Sequence, residues 1–147
     1  MDLKGQKMLK VCSILMIVFG FIGAVFAVLA LTGSIAISAA YEGMGVLVIL
    51  SIAAVVATVL EIVAGFVGKG AANMPSVGKI KAALVLGVLV LILTLASSIY
   101  NIMTTATTGG SQVNNIIGIF TGAVIPVLYL TGLIKYKNAL VALMSGN

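Results

Sequence analysis

The chain has 147 residues, of which 62% are hydrophobic and 7% charged, whereas a soluble domain carries roughly 25% charged residues. Together with a mean hydropathy of +1.32 this excludes a soluble fold, and residues 1–147 leave room for a single membrane domain. The net charge of +5 comes from eight lysines and no arginine. They sit at the ends of apolar runs without interleaved aromatics, so they read as topology signals beside anionic headgroups and not as a nucleic-acid surface.

A basic head with Lys4, Lys7 and Lys10 precedes an apolar run over residues 11–31. Ser38-Ala39-Ala40 satisfies the small-x-small rule for signal-peptide cleavage. The apolar run is too long for a signal peptide, however, and the site too far downstream, so we expect an uncleaved first span. The single cysteine, Cys12, lies at the inner end of this span. It reads either as a small apolar core residue or as a palmitoylation site. With one thiol and no histidine, the chain has almost no ligands for zinc or haem, and no cofactor is expected.

Residues 32–45 form the first connection, small and hydroxylated, with Tyr41 and Glu42 but no lysine. The second span is expected over residues 46–67 and contains one acid, Glu61. At 1.5 Å per residue this span covers roughly 33 Å, and Glu61 lies about 10 Å inside one edge of the hydrocarbon core. An ionised carboxylate there costs roughly 3 kcal/mol, so such a residue is protonated, paired, or turned toward protein or water. On a helical wheel Ala54, Ala57, Gly65 and Gly68 fall within about 40° of Glu61. Small residues on one stripe admit a close helix, so this face is expected to point into a bundle.

The next connection, residues 68–81, holds Lys69, Lys79 and Lys81, and its Asn73-Met74-Pro75-Ser76 reads as a turn. The third span is expected over residues 82–103, the polar connection over 104–115, and the fourth span over 116–134, closed by Lys135 and Lys137. All eight lysines lie in the head, the middle connection and the tail. The positive-inside rule then places both termini and the middle connection in the cytoplasm. The expected fold is an all-α membrane protein, a four-helix up-down-up-down transmembrane bundle, N-in and C-in. Tyr41, Tyr100 and Tyr136 fall near the membrane boundaries, where interfacial tyrosines collect. Gly20 matches Gly87 and Gly65 matches Gly132 at an offset of 67, and Val59-Leu60 matches Val127-Leu128 at 68. Two parallel hairpins would produce this pattern, and so would chance among hydrophobic residues.

The fourth span contains Gly118 and Gly122 as a GxxxG, with Ile125, Pro126 and Tyr129 on the same stripe. The GxxxG serves either packing inside the bundle, which we favour, or self-association. Pro126 removes one helical hydrogen bond, so a kink and a freed Gly122 carbonyl are expected. Tyr129 lies about 7 Å from the inner edge, close to the depth of Glu61. In one arrangement the Tyr129 hydroxyl hydrogen-bonds the Glu61 carboxyl across a contact between the second and fourth helices. In the other, Tyr129 points toward the inner headgroups and Glu61 is protonated against a backbone carbonyl.

The chain has no Ser–His–Asp set, HExxH, CxxC or phosphate-cradling loop, and its acids Asp2, Glu42 and Glu61 fall at three different depths. We therefore do not expect an enzyme. Four short-looped spans with an intramembrane acid are similar to the small multidrug resistance transporters. Those proteins carry their carboxylate in the first helix, and the lysine bias here is stronger than in members that insert both ways. Through the passage Leu60-Glu61-Ile62-Val63-Ala64-Gly65-Phe66-Val67-Gly68, followed by a basic turn and another span, the whole chain resembles the small four-span membrane proteins of bacteria. That resemblance implies no activity. Tetraspanins and claudins share only the span count. The expected function is a multi-pass plasma-membrane scaffold or accessory subunit. Its partners are the lipid bilayer and either another membrane protein or a second copy. The alternative is a small transporter or channel in which Glu61 titrates.

Overall fold

The structure is a computed structural model that describes residues 3–41, 45–108 and 112–145, with side-chain surroundings for all of these except residues 100–121. The described residues form four helices: α1, Gln6–Ala40; α2, Gly45–Asn73; α3, Val77–Thr108; and α4, Gln112–Ser145. Each is long and apolar enough to cross a membrane, which is the make-up of an integral membrane protein.

The helices outrun the apolar segments. The expected connections over 32–45 and 104–115 are mostly helical, and the expected tail after residue 134 continues α4 to Ser145. Hydropathy marks where lipid solvates the side chains, whereas a helix ends where its backbone bonding ends. The hydroxyls just beyond the first apolar run show how the two are reconciled. Thr32 donates to the Leu29 carbonyl (2.8 Å), Ser34 to the Ala30 carbonyl (2.6 Å) and Ser38 to the Ile35 carbonyl (3.0 Å). Each polar group is satisfied within its own helix, so α1 extends without an exposed donor. Ser97 and Ser98 do the same in α3, both donating to the Thr94 carbonyl.

The turn between α2 and α3 falls where expected. Pro75 disfavours helical backbone at Met74, whose N–H closes α2 on the Gly70 carbonyl (3.0 Å). Ser76 then caps α3, its hydroxyl accepting the Lys79 N–H at 3.2 Å. α4 runs through Pro126 as one helix.

The main contacts join α1 to α2, α2 to α3, α3 to α4 and α4 back to α1. The core gathers at one end, from Leu9, Cys12 and Met16 of α1, Ala64, Ala71 and Ala72 of α2, Ile80, Ala83 and Val90 of α3, and Tyr129, Leu133 and Tyr136 of α4. Large apolar side chains such as Phe19, Phe26, Leu29 and Ile49 cover the outside, as lipid-facing residues would. Tyr136, expected near a boundary, turns inward: it is 1% exposed and packed into the core. Tyr41, 65% exposed, is free to occupy a boundary, and the side chain of Tyr100 lies outside the described residues. Cys12 is a buried free thiol, which fits the apolar core reading and gives an acyl chain no access.

The two hairpins share a register. A Cβ added at Gly20 would meet Ile62, and one added at Gly87 would meet Tyr129. Both members of these pairs are separated by the offset of 67.

Candidate functional site

The expected site centres on Glu61 and its stripe of small residues. The stripe closes on one side of Glu61 only. Gly65 and Gly68 are buried, Glu61 and Ala57 are half-buried, and Ala54 is exposed. Gly65 lies against α1, where a Cβ would come 2.7 Å from the Ser13 carbonyl oxygen and 2.7 Å from Ile17. Gly68 lies where α1 and α4 both approach, and a Cβ there would come 2.6 Å from Ser13 Oγ and 2.5 Å from the Tyr129 hydroxyl. Neither glycine could become alanine without a neighbour moving.

Tyr129 is the centre of this packing. It is fully buried and lies between glycines of two helices, Gly68 of α2 and Gly87 of α3, where a Cβ would come 2.8 Å from its ring. Its hydroxyl donates to the Ala64 carbonyl of α2 at 2.9 Å, with the Ala83 carbonyl of α3 more distant at 3.4 Å. Neither arrangement considered for Tyr129 is the one observed: the hydroxyl turns neither to the Glu61 carboxyl nor to the headgroups. The hydroxyl does reach α2 from α4, but its acceptor is backbone. A helical carbonyl points toward the residue four positions on, and for Ala64 that residue is Gly68, which has no side chain to cover it. The phenol therefore meets a bare carbonyl before it meets the carboxyl a turn away. One side chain thus ties α4 to α2 and α3, and an aromatic ring with a satisfied hydroxyl is suited to that task.

Among the described residues no hydrogen bond or ion pair engages the Glu61 carboxyl. The acid is half-buried on the core face of α2 without a partner among the described residues. Of the other site residues, Pro126 is fully buried beside Tyr129, and Gly122 faces α3, where a Cβ would come 3.2 Å from Thr94. Gly122 is otherwise exposed. The surroundings of Gly118 lie outside the described residues.

Three participants escaped the reading of the sequence. Ser13 is fully buried, and its hydroxyl has no hydrogen-bond partner among the described residues. Its signal was available, since it is the one hydroxyl between residues 11 and 31. Gln6 donates from Nε2 to the Ala72 carbonyl at 2.7 Å, and its Oε1 accepts the Leu3 N–H at 3.1 Å. It thereby satisfies a carbonyl in the last turn of α2 that the helix itself leaves open. Gly87, the third, had no signal beyond its match to Gly20. Among the described residues no three of His, Cys, Asp and Glu stand close enough to hold a metal ion.

No family model, no curated protein and no solved structure matches the chain.

Proposed function

We propose that the protein is a small four-span plasma-membrane protein that acts by association, as an accessory subunit or scaffold, and not as an enzyme. In this reading the helices run up-down-up-down with both termini in the cytoplasm. Support for the alternation comes from two contacts. Gln6 at the start of α1 bonds Ala72 at the end of α2, and Ser34 near the end of α1 meets Ser51 near the start of α2, Oγ to Oγ 2.6 Å. Support for the orientation comes from the lysines, which gather at the end holding Gln6, Ala72 and Lys135.

The observation that carries the functional reading is Glu61. A half-buried acid in an apolar helix is completed by something, and the described part of this chain supplies no partner. A polar group of another membrane protein, or of a second copy, is the natural complement. Purification in mild detergent from the native membrane tests this. Wild type and Glu61→Gln retain the partner, because the amide still hydrogen-bonds, and Glu61→Leu loses it. Equal retention by all three refutes the proposal. The same free carboxyl also favours a second reading, transport coupled to protons. In that case Glu61→Gln abolishes proton flux into liposomes while leaving assembly untouched.

A further inference from the structure

A groove of about 520 Å³ opens where the start of α1 meets the end of α4, lined by Lys4, Gly5 and Met8 from one side and Lys135, Asn138 and Ala139 from the other. We propose that it is a binding site for the phosphodiester headgroup of an anionic phospholipid. The proposal rests on the chain spanning a bilayer and is independent of the role of Glu61.

Gly5 builds the groove. Its φ of 89° is the single positive value among the described residues, a conformation that side chains other than glycine rarely adopt. In that conformation the start of α1 lies directly on α4, where a Cβ at Gly5 would come 2.6 Å from the Gly132 carbonyl oxygen and 2.8 Å from Lys135 Cβ. The close approach brings Lys4 and Lys135 to the same groove from opposite ends of the sequence. On α4 the spacing of Lys135, Asn138 and Ala139 places all three on one face.

The chemistry of the lining selects an anion. Two lysines contribute cations and Asn138 contributes an amide, and no acid is among the described lining residues. Among the described residues neither Lys4 nor Lys135 has an ion-pair partner. The N-terminus of α1 lies at the same place, its Gln6 N–H taken by the Leu3 carbonyl and no side chain capping the rest. It presents the positive end of the helix dipole, a ready acceptor of phosphate. The volume falls in the usual range for ligand sites, about 300–1,000 Å³. Basic pockets between membrane helices at the cytoplasmic surface bind anionic headgroups. Further along α1, Val11, Ile14 and Leu15 are exposed, which gives acyl chains an apolar wall below the headgroup. That wall favours a lipid over free phosphate.

The test is native mass spectrometry and thermal melting of the detergent-purified full chain, titrated with phosphatidylglycerol, phosphatidylcholine or inorganic phosphate. Phosphatidylglycerol is expected to remain bound and raise the melting temperature, and the other two are expected to do neither at equal concentration. Lys4→Gln and Lys135→Gln should each weaken phosphatidylglycerol binding about 5-fold, and together about 30-fold. Lys69→Gln with Lys79→Gln removes the same charge elsewhere at that end and should leave binding within about 2-fold. All four lysines are exposed, so these variants keep the fold. Equal loss in both double variants means diffuse charge attraction and overturns the proposal, as does equal binding of the zwitterionic lipid. Inorganic phosphate binding as tightly as phosphatidylglycerol overturns the lipid as occupant. Because Glu61 is intact in every arm, failure here leaves the association reading standing.

Discussion

The packing around Tyr129 makes a quantitative demand. Gly68→Ala adds a methyl carbon that would come 2.5 Å from the Tyr129 hydroxyl and 2.6 Å from Ser13 Oγ, well inside van der Waals contact. Both neighbours are fully buried and have little room to retreat, so overpacking should cost about 1–3 kcal/mol. Tyr129→Ala removes a fully buried ring and should cost about 3–5 kcal/mol. Tyr129→Phe removes only the hydroxyl. The Ala64 carbonyl keeps its own helical bond in that variant, and hydrogen bonds between membrane helices average about 0.6 kcal/mol, so the loss should stay near 1 kcal/mol. The decisive experiment is the double variant. With the ring gone, the Gly68→Ala methyl loses its clash with Tyr129 and keeps only that with Ser13 Oγ, so it should cost less than it does beside the intact ring. Gly68→Ala with Tyr129→Ala should therefore be more stable than additivity allows, by at least about 1 kcal/mol. Equilibrium unfolding in mixed micelles, followed by helical circular dichroism, measures all four corners of the cycle. Additivity within about 0.5 kcal/mol would mean that Gly68 and Tyr129 do not share space, and the account of the bundle centre would fail.

Other expectations follow from single contacts. Gln6→Ala leaves the Ala72 carbonyl without its 2.7 Å donor and should cost about 1 kcal/mol in the same unfolding assay. Gln6→Glu, which keeps the shape but not the donor, should fare no better than alanine. Cys12 is 4% exposed, so a maleimide should label it only after the bundle is unfolded in strong detergent. Rapid labelling of the folded protein would show α1 rotated from its described position. That protection also permits a topology test in intact cells. A cysteine replacing Ser38 should react with a membrane-impermeant maleimide, and one replacing Lys79 should react only after permeabilisation; the reverse pattern would invert the proposed orientation.

The residues by themselves determined the solvent and the element type. A chain that is 62% hydrophobic with all its lysines between or beyond apolar runs must lie in lipid. In lipid only helices or a closed barrel satisfy the backbone, and the long unbroken runs choose helices. Pro75 marked a helix break because it acts on its immediate neighbours. The small-residue face through Gly65 and Gly68 was legible for the same reason, since a helical wheel needs only spacing. Helix length was not legible, because Thr32, Ser34 and Ser38 look like loop residues until their hydroxyls are seen bonded to the preceding turn.

Across helices, tertiary structure decided the rest. Depth alone brought Tyr129 and Glu61 to similar levels, but depth fixes neither the rotation of α4 nor which acceptor lies uncovered. The hydroxyl goes to Ala64 because Gly68, four residues on, leaves that carbonyl bare. Tyr136 turned inward for a similar reason: its place near the end of an apolar run gave its depth, while the packing of α4 on α1 chose its direction. Periodicity along one helix is a local property that adjacent residues encode directly. The register and rotation between helices arise from many small contacts summed over the whole bundle, and no single stretch of the chain carries that sum.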